Sequence, residues 1–360
     1  MERKVWIDWL RVAACFMVFV VHSTEPFYLG GQGSLILDET DAFWASFFDT
    51  LVRACVPLFV IASSYLMFPL NCSTGEFFKK RAIRILIPFI LWSVVYAFVW
   101  GEPVENFKNL LLNFNYAAGH LWFIYMLLGV YLLMPLLSPW AEKVSRKEER
   151  AFLLIWAFTT ILPFFRPAAM DATGSPDLWG ECPWNGFGSF YYVSGFIGYL
   201  VLGHYLRTHV KELSWKKTLT VAVPFWIAGY AVTAGGFWKL MPKDAGFPIS
   251  APYETAVMME TTWNFCTFGV MMQTVAYFLL IRKITSSGWG YRHIIYPVSG
   301  LSYGIYLMHM FILTPVSAWV RSWGMATPLT MISAAAITYI IGIIITRLIS
   351  FVPKSKYLIG

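Results

Sequence analysis

The sequence predicts an all-α, polytopic membrane helix bundle of about ten transmembrane helices, with both termini cytoplasmic. Three observations predict it. First, of 360 residues 58% are hydrophobic and only 13% charged, about half the charge of an ordinary soluble protein. Such a chain cannot cover a globular surface with charge, which excludes a soluble enzyme, a disordered chain and a collagen-like fibre. Second, apolar runs long enough to cross a bilayer, about 20 residues each, recur between charged boundaries along the whole length, so positions 1–360 form one integral-membrane domain with no room for a separate soluble catalytic unit. Third, the 27 Lys and Arg residues alternate by segment. With the N-terminus inside, 20 of the 27 fall in inner segments and 5 in outer ones, while Arg11 and Arg53 lie within spans. This is the positive-inside bias. The net charge of +7 is therefore topological, and nucleic acid is not expected as a partner.

The spans are expected near 5–24, 48–69, 83–100, 120–140, 151–165, 189–206, 218–238, 256–281, 294–317 and 327–351. The first resembles a signal peptide in its basic start, but Asp8 and Arg11 interrupt its apolar stretch and no small-residue cleavage site follows, so it is read as a retained span. Arg53 sits near the outer end of the second span, where Pro57 is compatible with a kink. The third opens with the basic run Lys79, Lys80, Arg81 and Arg84, and the fourth with His120 and Trp122. The fifth is the shortest. Glu260 lies a few residues into the eighth, which runs inward. In the ninth, which runs outward, Ser302, Tyr306 and His309 share a face. The outer connections at 30–49 and 166–188 are expected to be loops. Their carboxylates (Asp38, Glu39, Asp41, Asp171, Asp177, Glu181) and indoles (Trp179, Trp184) suit sugars, which stack on rings and donate hydroxyl hydrogens. They equally suit interfacial anchoring. The five cysteines form no C-x-x-C pair and no metal motif is visible.

Charged groups at bilayer depth cost about 2.5–3.5 kcal/mol each, so each asks for a reason. Arg11 and His22 are eleven residues apart. On a helix their directions differ by about 20° and their heights by about 16 Å. One face of the first span thus carries a cation low and an imidazole high. Arg11 snorkelling to the interface or pairing with Asp8 at i, i+3 is the plainer account of the cation, but neither explains His22. Arg81 and Arg84, also at i, i+3, are either membrane anchors or an anion site, since guanidinium forks match phosphates. With orientation assigned, His22, Arg53, His120, Glu260 and His309 fall at one outer depth and Arg11, Arg81 and Arg84 below them. The two layers suggest an anionic ligand from inside and a polar reaction centre opening outside.

These segments resemble acyltransferase family 3, the bacterial integral-membrane O-acyltransferases of surface glycans. IDWLRVAACFMVFVVH carries the family's Arg-x10-His pattern as Arg11 and His22; RACVPLFVIASSYLM has Ser63-Ser64 where the family often has Ser-Gly; Arg81 and Arg84 form its Arg-x-x-Arg. HLWFIYMLLGVYLLMPLL and LSYGIYLMHMFIL are also similar, and SGFIGYLVLGHYL resembles the branch containing the enterobacterial common antigen O-acetyltransferase. The resemblance implies a multi-pass enzyme of the bacterial inner membrane. Its donor would be cytoplasmic acyl-coenzyme A, with acetyl-CoA the family default. Its acceptor would be a hydroxyl of a surface glycan or lipid-linked sugar, and no metal is implied. No hydrolase-like domain is fused, so transfer would be direct or need an extracytoplasmic partner; a homo-oligomer is left open. By the same resemblance Arg81 and Arg84 would hold the coenzyme A phosphates and Arg11 the pantetheine arm or thioester. His22 would be general base, or carry a transient acyl group. Glu260 would orient His22 or bind sugar, and Arg53, His120, Trp122 and His309 are candidate substrate contacts.

Two other readings use the same residues. Buried charges and a broken span also suit a transporter of a small anionic or lipid-linked glycan substrate, which would need no acyl donor. A polyprenyl-linked glycosyltransferase would ask for paired loop carboxylates at the span ends, and none is seen.

Overall fold

The computed structural model describes residues 3–30 and 33–360; Met1, Glu2, Gly31 and Gln32, the last two within the expected outer loop 30–49, lie outside the described residues. The elements run α1 (Val5–Thr24), β1 (Leu29–Gly30), β2 (Gly33–Ile36), α2 (Glu39–Val52), α3 (Cys55–Met67), α4 (Thr74–Arg81), α5 (Ile87–Val99), α6 (Pro103–Leu112), α7 (Trp122–Ala141), α8 (Arg146–Thr159), α9 (Leu162–Thr173), α10 (Ile197–Thr208), α11 (Trp215–Leu240), β3 (Ile249–Pro252), α12 (Tyr253–Met259), α13 (Phe268–Ile281), α14 (Tyr296–Arg321), α15 (Thr327–Ser350) and α16 (Lys356–Ile359). The protein is a helical membrane bundle. Among the described residues seven helices are long and apolar enough to cross a bilayer, and two bent pairs, α8 with α9 and the 253–263 segment with α13, raise the count to nine.

The difference from ten lies in the sixth expected span. After a single 3₁₀ turn at Tyr191–Val193, α10 is the one α-helix described there, and its 12 residues reach about 18 Å against a hydrocarbon core of about 30 Å. Gly195, at φ 75°, breaks the helix just before it. A short helix at membrane depth is tolerated when protein surrounds it, and α10 is buried on nearly every side. It lies against α3, where the Ser64 hydroxyl donates to the Leu200 carbonyl. A Cβ at Gly203 would fall 2.6 Å from Ser64 Cβ, so only glycine permits this approach. Counting α10 as a crossing keeps the basic segments on one side. Reporter fusions at Asp38, Asp177 and Asp244 are then expected to read outside and those at Lys147 and Lys211 inside; an outside signal at Lys147 would overturn this topology.

Of the outer stretch 30–49, the described residues 33–36 and 39–49 lie in a strand and a helix, where a loop was expected. Asp38 caps α2, its carboxylate accepting from the Asp41 N–H at 2.8 Å, which satisfies an orphan helix donor. Before it, β1, β2 and β3 form a small antiparallel sheet, with Ser34 opposite Leu29 and Ala251. Sheet and helix close over an apolar cluster of Phe27, Tyr28, Ile36, Phe237, Met259 and Trp263. The α2–α3 break falls at Arg53 and Ala54, because Pro57 has no N–H for the Arg53 carbonyl four residues earlier. Two π-turns, Ala82–Leu86 and Tyr291–Ile295, each precede a helix with proline in its first turn, Pro88 and Pro297. Those prolines deprive the Arg84 and His293 carbonyls of their usual donors.

At the inner end Asp8 is buried and fully committed. Arg3 donates to it through Nε and Nη2 at 2.8 Å each, Ser299 at 2.7 Å and Tyr291 at 2.8 Å. This clasp ties α1 to α14. It also corrects the expectation that Asp8 pairs with Arg11: a better-placed cation takes the carboxylate, and Arg11 has no ion-pair partner among the described residues.

Candidate functional site

A cavity of about 890 Å³ runs through the bundle beside α1. Its wall contains Arg3, Arg11, Arg81 and Arg84 toward the end expected to be inner, and His22, Glu25, Arg53, His120, Trp122 and Glu260 toward the end expected to be outer. Eight of the nine residues singled out in the sequence therefore face one space. His309 does not line it. It is fully buried behind His22, with ring centroids 5.1 Å apart, and next to His120 at 4.9 Å. Its Nδ1 lies 2.5 Å from the Tyr306 carbonyl and its Nε2 has no partner. His309 is thus separated from the cavity by the rings it packs against, His22 and His120.

His22 sits in the last turn of α1, where the helix tightens into the turn Glu25–Phe27. That turn brings Glu25 under the ring, with Nδ1 to Oε1 at 2.7 Å. A proton on Nδ1, donated to the carboxylate, leaves Nε2 as the unprotonated nitrogen. The pair has the base-and-orienter geometry used by activated nucleophile systems. Glu25 rather than Glu260 orients His22. Glu260 is instead held by the Tyr28 hydroxyl, which donates to it at 2.8 Å. Sequence reading missed Glu25 because the span was drawn to end at position 24. Its i, i+3 spacing from His22 was the available signal.

Arg53 is held by Asp49, which it meets through both Nε and Nη2. Both are buried, at 7% and 0% exposed, and Thr24 Oγ1 donates to the same carboxylate at 3.1 Å. The guanidinium lies 4.9 Å from the Trp263 ring. Trp263 in turn stacks on Phe237 at 4.3 Å and donates Nε1 to Thr50 Oγ1 at 3.1 Å. Asp49, at the outer edge of the expected second span, is the second residue missed; its i, i+4 spacing from Arg53 was the available signal. Trp122 stacks on Phe265 at 5.3 Å, and both line the cavity.

The inner arginines differ. Neither Arg11, Arg81 nor Arg84 has an ion-pair partner among the described residues. Arg81 lies 5.6 Å from the rings of Phe77 and Tyr131, and its buried Nε has no acceptor. Orphaned guanidinium donors facing one cavity fit an anion. Among the described residues no group of three metal-ligating side chains converges.

The outer loop carboxylates do not reach the cavity. Arg166 takes Glu181 through Nη2 at 2.6 Å and Nη1 at 2.8 Å and holds that carboxylate below the usual range. Asp41 accepts from Thr327 at 2.9 Å. None of the six is among the cavity-lining residues; Glu181 is taken by an ion pair and Asp38 by a helix cap.

The fold and site are those of a helical membrane bundle with one large internal cavity lined by a histidine hydrogen-bonded to a carboxylate. The family model described as an acyltransferase domain, that of acyltransferase family 3, matches residues 4–347, and the chain belongs to this family. Neither the curated proteins nor the solved structures contain a match.

Proposed function

We propose that this membrane acyltransferase moves an acyl group, acetyl by the family's default, from cytoplasmic acyl-coenzyme A to a hydroxyl of an extracytoplasmic glycan or lipid-linked sugar, at the inner membrane of a bacterium. The observation that carries the reading is the single cavity, with partnerless arginines at one end and the His22–Glu25 pair toward the other. Donor phosphates would rest on Arg81 and Arg84, with Arg11 between them and His22 and about 16 Å below the latter along α1. The thioester then lies at the level of His22.

In the step itself His22 Nε2 takes the proton of the acceptor hydroxyl. The oxygen attacks the thioester carbonyl carbon, the C–O bond forms and the C–S bond breaks. The coenzyme A thiolate leaves and receives the proton from His22, so no net charge stays in the site. Glu25 stabilises the imidazolium while it exists. The apolar walls limit hydrolysis of the thioester by excluding water. The resemblance of 194–206 to a common-antigen O-acetyltransferase supports acetyl as the group moved.

The test uses purified protein in nanodiscs with acetyl-CoA. Binding of the donor and release of free thiol are followed with and without a sugar acceptor. The Arg81→Ala/Arg84→Ala protein is expected to bind coenzyme A at least tenfold more weakly, since each lost charge-assisted contact is worth about 1.5–3 kcal/mol. Unchanged affinity in that variant would reduce the pair to membrane anchors and remove the donor site proposed here.

A further inference from the structure

The two ends of the cavity carry opposite charge. Among its described lining residues the carboxylates are Glu25 and Glu260, and both stand at the outer end. Arg53, the cation nearest them in the wall, is neutralised by Asp49. The remaining polar wall there is uncharged: Thr261, Asn264 and His120. His120, which lines the cavity, is 8% exposed and its buried Nε2 has no hydrogen-bond partner. Trp122, stacked on Phe265, supplies a flat apolar surface beside it.

We infer that this outer mouth selects its acceptor by charge: it takes a sugar hydroxyl on a neutral or amine-bearing residue and rejects one whose ring carries a carboxylate or phosphate. This rests on the acyl-transfer reading for what happens next, but not for the selection itself. A sugar ring stacked on Trp122 places its hydroxyls where Glu260 and Glu25 accept hydrogens and His120 meets an edge group. A ring anion in that place faces two carboxylates, while the unpaired arginines of the described lining, Arg11, Arg81 and Arg84, stand at the other end of the cavity. Taking it out of water without a counter-charge is unfavourable. The same two carboxylates oppose over-travel of the donor, so its phosphates stay on the inner arginines.

Three probes differing at one ring position separate the cases: octyl glucoside, octyl glucosaminide and octyl glucuronide, presented to the protein in nanodiscs. Binding is read by thermal shift against concentration, and transfer by radiolabelled acetyl from acetyl-CoA. The glucoside and glucosaminide are expected to bind comparably, and the glucuronide roughly tenfold more weakly or worse. Glu260→Gln should narrow the glucoside-to-glucuronide ratio to about threefold or less. Equal binding of glucuronide and glucoside by the wild-type protein, an unchanged ratio in a folded Glu260→Gln protein, or no binding of any glycoside would overturn the inference; the wild-type ratio decides even where the variant does not fold. Charge-ordered binding without acetyl transfer would keep the selection and remove the acyl-transfer reading. Transfer to glucuronide at the glucoside rate would do the reverse.

Discussion

His22→Gln is expected to insert normally, bind acetyl-CoA with near wild-type affinity and transfer almost no acyl group. Glutamine keeps a polar side chain of similar reach and can still donate an N–H to Glu25, which lies 2.7 Å from the histidine, but it cannot take up the acceptor proton. A positioned general base contributes about 10²–10⁴-fold, and a covalent acyl-histidine would raise the loss further. The measurement pairs acyl transfer with thermal stability in the same nanodiscs. A stable His22→Gln protein transferring at the wild-type rate would sink the mechanism. Loss of activity together with loss of folding would instead make the histidine a packing residue.

Breaking the Asp49–Arg53 pair should cause the largest loss of stability. Both groups are buried, and removing one partner of such a pair costs about 3–5 kcal/mol, because the other charge stays behind uncompensated. Asp49→Ala is thus expected to unfold far sooner on heating than wild type. Asp49→Leu/Arg53→Met, which removes both charges and keeps volume, should recover most of the stability. The comparison is the half-life at a fixed temperature, suited to proteins that unfold irreversibly. Equal half-lives for Asp49→Ala and wild type would show that the pair is not held dry as the geometry requires.

Much of the site was legible beforehand because helical geometry is periodic and apolar spans are long. Arg11 and His22 could be placed on one face, and Arg81 with Arg84 below them, from spacing alone. Depth followed from orientation, and orientation from the basic loops. The partners were not legible. Asp8 has two arginines within reach on its own chain segment, and only the fold shows that Arg3, Tyr291 and Ser299 take it, which leaves Arg11 to the cavity. Glu260 looked like the carboxylate for His22 because both were assigned the outer depth; the tight turn after α1 puts Glu25 there instead.

Composition and charge order by themselves determined that this chain is a helical bundle in a membrane and which polar side chains must be accounted for inside it. Those properties are sums over local sequence, set by the transfer of each segment between water and lipid. The tertiary structure alone decided which side chains share the cavity, which histidine lies behind another, and which charges are spent on each other. The short α10 shows why. Its 12 residues are too few for a span on apolar length, and it stays at membrane depth because α3 and its neighbours bury it. Burial by other elements depends on the whole packing arrangement, and no single segment carries it in its own sequence.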